Sequence, residues 1–169
     1  MEALAATAST SLDTVWLFVG NFLVLAVLTI VLLMFSIRGG RNALISFILA
    51  LYAGYAVYVV FPYTDSIVGS GGSPMVQAVI SVGLFAAASF VPFLLIRRLT
   101  GGGFGSLSLF PNLILSFLAA SFLLALGYHV FDISNIYTFP APLDQLFAPA
   151  GYFFWWFVAP LAGLFALAR

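Results

Sequence analysis

No charged residue lies inside any of five long apolar runs, at about 15–37, 42–61, 75–96, 112–131 and 151–168. That segregation constrains the chain more than any other feature. An α-helix rises 1.5 Å per residue, so about 20 apolar residues cover the roughly 30 Å hydrocarbon core of a bilayer. The chain is 64% hydrophobic and 6% charged. A soluble domain carries about 25% charged residues, and a water-soluble fold this poor in charge would expose an aggregating surface. The expected fold is all-α: a polytopic integral membrane bundle of five transmembrane helices. It forms a single transmembrane domain over residues 1–169, with an outer loop at 132–150.

The charges between the runs set the topology. When five helices alternate, Arg38, Arg41, Arg97, Arg98 and Arg169 fall on one side, and Glu2, Asp13, Asp65, Asp132 and Asp144 on the other. Arginine bias marks the cytoplasmic side, so the N-terminus is expected outside and the C-terminus in the cytoplasm. The expected location is the cell (inner) membrane, multi-pass. Residues 1–14 carry no positive charge. A secretory leader starts basic, so the first run reads as a retained helix. The last run holds Pro160, and a re-entrant course is the alternative for it.

The turn Arg38-Gly39-Gly40-Arg41 is the tightest reversal. Glycine tolerates φ > 0, and an arginine at the bilayer centre costs about 2.5 to 3.5 kcal/mol. Pro74 and Pro111 mark helix starts, where a missing N–H costs little. Pro92 and Pro160 are expected to bend their helices. Tyr52, Tyr55 and Tyr58 share one stripe, with Tyr58 and Tyr63 expected in the outer aromatic belt and Tyr152 to Trp156 as interfacial anchors. Residues 63–74 read as a loop. Residues 142–147 read as a short interfacial helix, with Leu143, Leu146 and Phe147 turned to lipid. Ala50 with Gly54, and Gly83 with Ala87, are small-residue pairs suited to close helix packing.

The composition excludes much chemistry. There is no Cys, hence no disulfide, thiolate ligand or thiol nucleophile. There is no Lys, hence no phosphate-loop lysine and no Schiff base. Net charge is zero and there is no basic tail, so nucleic acid is not an expected partner. His129 is the single histidine, and one imidazole does not make a metal site. Neither a metal nor a cofactor is expected. His129 and Asp132 share a helix face. They form the candidate polar site, either as a proton relay or, as preferred, as an interfacial histidine bonded to Asp132 or to headgroups. Ser70 lacks the elbow of a serine nucleophile, and Gly101 to Gly105 reads as a turn rather than a phosphate cradle. Asn21, Gln77, Ser81, Ser89, Ser116 and Ser121 read as helix-to-helix hydrogen-bonding groups. Arg38, Arg41, Arg97 and Arg98 are expected to contact anionic lipid headgroups, at about 1 kcal/mol each.

Arg38-Gly39-Gly40-Arg41-Asn42-Ala43-Leu44-Ile45-Ser46 enters the second helix from an outside-first hairpin. It resembles the colicin V production protein family, with its Arg-Gly turn, second basic residue and Leu-Ser step. The likeness covers the first two helices, with Asn42 standing where the family has an acidic residue. It implies a small envelope-associated membrane protein with no established chemistry. The expected function is non-enzymatic: a scaffold or subunit in an envelope assembly or secretion process. Its partners are membrane lipids and either copies of itself, as a homo-oligomer, or other membrane proteins. The alternative is a channel or carrier formed by oligomerisation, with Asn21, Gln77 and the serines lining its path.

Overall fold

The computed structural model describes residues 20–100 and 109–167. Among them the regular elements are all helical: α1 (Leu23–Gly39), α2 (Arg41–Val60), α3 (Thr64–Gly69), α4 (Pro74–Thr100), α5 (Leu109–Val130), a 3₁₀ turn (Ile133–Asn135), α6 (Ala141–Phe147) and α7 (Ala150–Leu167). Four of these, α2, α4, α5 and α7, are long and apolar enough to cross a membrane, as a helical membrane protein requires. Helix α1 is apolar and spans 17 residues. Residues 15–19 of the expected first run, the Gly101 to Gly105 turn, and Glu2, Asp13 and Arg169 lie outside the described residues.

Turn chemistry sets the helix limits. Gly40 alone separates α1 from α2, with φ at 81°, a conformation that strains any side chain with a Cβ. Helix α2 stops at Val60 because Phe61 precedes Pro62 and takes an extended ψ of 117°, as a residue before proline must. Helix α4 starts at Pro74, with the Ser73 hydroxyl accepting from the Val76 N–H at 3.4 Å. Helices α4 and α7 run on through Pro92 and Pro160. The stretch read as a loop at 63–74 holds the short helix α3, ahead of the Gly71-Gly72 break.

Helix α5 is the centre of the bundle. Of its span 56% is buried, against 17% for α4 and 11% for α7. Helices α1 and α7 pack along α5, α2 packs along α4, and α1 also meets α2. Tyr52 ties three helices together. Its ring stacks on Phe122 of α5 at 4.6 Å and meets Phe157 of α7 edge-on at 5.0 Å. Its hydroxyl donates to the Phe157 carbonyl, one turn before Pro160.

Three expectations about facing are corrected. Tyr58 does not sit in an outer belt; it is buried between Phe85 and Phe131. Leu143 and Phe147 do not face lipid: they are 0% and 1% exposed, because α6 folds back onto the bundle. The two small-residue pairs also differ. Ala50 and Gly54 are interior, and a Cβ on Gly54 would overlap the Ser89 backbone of α4. Gly83 has open space where its Cβ would be, and Ala87 is exposed. Helix α4 instead packs through Ala78, Ser81, Phe85 and Ser89.

Candidate functional site

The two ends of the bundle carry opposite charges. Arg38 of α1 and Arg97 of α4 line one groove at one end. Asp65 and Asp132 line one pocket at the other. Charges far apart in sequence are thus brought together by helix alternation.

At the carboxylate end, His129 and Asp132 part company. The His129 ring Nε2 lies 2.8 Å from the Phe147 carbonyl of α6, and the ring packs against Phe153 at 4.8 Å. Asp132 is exposed and takes a left-handed φ of 47° as it leads into the 3₁₀ turn. It joins Asp65, Gln77, Ser81 and Asn135 around a polar pocket of about 210 Å³. Gln77 donates from Nε2 to the Gly71 carbonyl at 2.9 Å, and the Ser81 hydroxyl donates to the Gln77 carbonyl at 2.9 Å. Tyr128 donates to the Asp144 carboxylate at 2.5 Å, and Trp156 donates to the Leu146 carbonyl at 2.9 Å. Among the described residues no group of three His, Cys, Asp or Glu is placed to hold a metal ion.

At the arginine end the four described arginines have different surroundings. Arg38 and Arg97 face a groove of about 530 Å³, walled by Val31, Met34 and Phe35. The Arg97 guanidinium also sits 5.9 Å from the Phe93 ring centroid, within reach of a cation–π attraction. Arg41 has its Nε and Nη2 buried with no hydrogen-bond partner among the described residues. Arg98 is exposed and outside the groove.

A cavity of about 600 Å³ lies between α1, α2, α4 and α5 and is almost wholly apolar. Its walls include the core residues Leu51, Phe85 and Leu124. Its rim includes Val82, Ala86 and Phe90, all exposed on α4. The cavity therefore opens on the flank of the bundle, where lipid chains lie. Near the arginine end three rings form its wall: Phe35, Phe47 and Phe93, with centroids 5.9 to 6.3 Å apart. Phe35 lines this cavity and the arginine groove alike.

One polar side chain enters this apolar space. Thr29, Ser46 and Ser81 satisfy their hydroxyls on the carbonyl four residues back, at 2.7 to 2.9 Å. Ser89 lines the cavity, is 7% exposed, and its hydroxyl has no partner among the described residues. A buried hydroxyl left unpaired costs about 1–3 kcal/mol. Sequence reading took Ser89 as a helix-to-helix hydrogen-bonding group and missed the cavity. The only cue was a serine set among alanines opposite Gly54, which gives no sign of empty space.

No family model matches the chain, and no match was found among curated proteins or solved structures. Its function has to be read from its own residues.

Proposed function

We propose that this protein is a non-enzymatic, multi-pass protein of the inner membrane that takes an amphiphile from the bilayer into its side cavity, as a holder or carrier of that molecule. The supporting observation is the cavity of about 600 Å³. Its volume is typical of small-molecule sites, and it is apolar and open on the lipid-facing flank. His129 supports the non-enzymatic part, since its ring nitrogen is engaged by the Phe147 carbonyl of a packed helix. In this reading the arginine end faces the cytoplasm, and α1 is a fifth span.

Uptake is tested with chain-labelled lipids in vesicles holding the full-length protein. Ala86 stands at the cavity rim, so Ala86→Trp fills the opening without touching the Gly54–Ser89 contact. The variant is expected to lose most of the motionally restricted label that the wild type holds. An undiminished restricted fraction would refute the reading. Orientation is tested separately, with cysteines at Arg98 and at Gly72, whose Cβ would meet open space. Only the Gly72→Cys thiol is expected to react with an impermeant reagent added outside intact cells.

A second reading is favoured by the outward pair Gly83 and Ala87. Small residues four apart allow another helix to approach closely in lipid. This supports a scaffold or subunit of an envelope assembly or secretion process, formed with copies of itself or with other membrane proteins. The resemblance of residues 38–46 to the colicin V production protein family points the same way.

A further inference from the structure

We infer that the side cavity is built for an uncharged, lipid-soluble ring ketone. A flat unsaturated ring bears one carbonyl that accepts a hydrogen bond from Ser89, and an apolar tail fills the rest of the space. The inference rests on the uptake reading above and adds the chemical class of the occupant.

The hydroxyl comes first. Ser89 lines the cavity, is 7% exposed and has no hydrogen-bond partner among the described residues. It stands against Gly54 of α2, which has no side chain to meet it. A helical serine can bond the carbonyl four residues back, as Ser46 and Ser81 do. Ser89 does not, so its hydroxyl is open to an occupant of the cavity.

Depth narrows what that occupant can be. Ser89 precedes Arg97 by eight residues, about 12 Å along α4. Arginine stays near the membrane surface, and so do the ester carbonyls of a phospholipid. At that depth in a roughly 30 Å hydrocarbon core, an acyl chain offers only carbon and hydrogen. A phospholipid chain can fill the cavity but cannot pair the hydroxyl. The occupant that pairs it carries a polar atom among its apolar ones. None of the described residues lining the cavity is charged, and an unpaired charge there would be costly. The polar group is therefore neutral.

Hydrogen counting selects a carbonyl. A serine hydroxyl has one hydrogen to donate. A carbonyl accepts it and brings no hydrogen of its own, so one bond leaves no donor unpaired. A hydroxyl-bearing occupant also forms one bond, but it leaves one hydrogen over in an apolar space. The walls select a ring. Phe85 and Phe93 lie four residues to either side of Ser89, on the same face of α4, and both line the cavity. The Phe93 ring also meets those of Phe35 and Phe47. Such rings favour offset or edge-on contact with another flat ring. The tail is left the apolar stretch from Leu28 to Val24 on α1.

The test uses full-length protein in phosphatidylcholine vesicles with a trace of phosphatidylcholine spin-labelled near one chain end. Four competitors displace the restricted label: decyl-indanone, decyl-indane, decyl-indanol and an open-chain ketone of the same carbon number. In the wild type the indanone is expected to act at about tenfold lower membrane mole fraction than the indane, equivalent to about 1.4 kcal/mol. The indanol and the open-chain ketone should each need at least about threefold more than the indanone. Ser89→Ala should bring indanone and indane within about twofold of each other. Ser121→Ala, which also removes a buried hydroxyl without a partner but lies outside the cavity lining, should leave the gap intact. Without ligand, Ser89→Ala should melt no lower than the wild type, and indanone should raise its Tm less.

The inference is overturned if indanone and indane compete equally in the wild type, or if the indanol or the open-chain ketone matches the indanone. It is also overturned if Ser121→Ala closes the gap as fully as Ser89→Ala, or if ligand-free Ser89→Ala melts lower, since the hydroxyl would then be bonded within the protein. Ala86→Trp separates the two levels. Loss of restricted label in that variant, with no difference among competitors in the wild type, leaves uptake standing and removes the ketone. Label retained in Ala86→Trp removes both.

Discussion

The two ends of this bundle treat their polar groups in opposite ways. At the carboxylate end, Tyr128 bonds Asp144, His129 meets the Phe147 carbonyl, Trp156 bonds the Leu146 carbonyl and Gln77 bonds the Gly71 carbonyl. At the arginine end, among the described residues, Arg41 buries two guanidinium nitrogens without an acceptor, and Ser36, Asn112 and Ser116 bury oxygens without a partner. Arg38 and Arg97 line a groove at that end. A buried polar atom left unpaired costs about 1–3 kcal/mol. One end has used its hydrogen-bonding capacity to hold α6 and α7 in place. The other leaves these buried groups without a partner among the described residues.

The largest expected effect tests whether the carboxylate end is structural. Phe147 is 1% exposed, stacks on Trp156 at 4.7 Å, and its carbonyl meets His129. Phe147→Ala is expected to lower stability by about 3–5 kcal/mol, as other large-to-small core changes do. Phe35 has the same side chain at the other end, but it is half-buried and borders two cavities. Phe35→Ala is expected to lose on the order of 1 kcal/mol. Thermal unfolding in one detergent compares the two. Equal losses would erase the distinction between the ends.

A smaller effect sharpens it at the level of single hydrogen bonds. Tyr128→Phe removes the donor to Asp144 and keeps the ring that packs on Phe139 at 5.1 Å. The expected loss is about 1–2 kcal/mol, since the acceptor is a carboxylate. Arg38→Gln, at the groove, is expected to stay within about 0.5 kcal/mol of wild type, as exposed substitutions do. Unfolding midpoints measure this pair as well. A larger loss at Arg38 than at Tyr128 would make the groove arginine a structural element.

What could be read from the sequence was where helices turn, start and stop, and what could not was facing. The Gly40 reversal, the stop before Pro62 and the start at Pro74 all follow from local chemistry, and the structure has them. The inward turn of Leu143 and Phe147 and the burial of Tyr58 do not follow. In a soluble protein an apolar stripe marks the core side of a helix. Here lipid and core are both apolar, so that contrast vanishes. Gly54 and Gly83 illustrate the limit. Each begins or ends a small-residue pair four apart on an apolar helix, yet one meets Ser89 and the other meets nothing. The cavity was hidden for a related reason. Its walls are ordinary core residues, and empty space depends on how α4 stands off from α1 and α5, which no single residue encodes.

The smallest effect on stability is expected at Gly83, and it bears on which parts of the surface are functional. Open space surrounds its missing Cβ, so Gly83→Leu meets no neighbour in the chain and adds a better helix former. Stability should change by no more than about 0.5 kcal/mol in either direction. The informative measurement is the oligomeric state in detergent and in vesicles, by sedimentation or single-molecule photobleaching. If α4 meets a second helix through Gly83 and Ala87, a leucine side chain holds the two backbones apart and the complex dissociates. If α4 meets only lipid there, leucine merely replaces one apolar surface with another, and assembly stays as it was. The first result would place a functional face on the flank of α4, beside the cavity rim at Ala86, and would couple partner binding to lipid access. The second would leave the outer face of α4 to lipid alone.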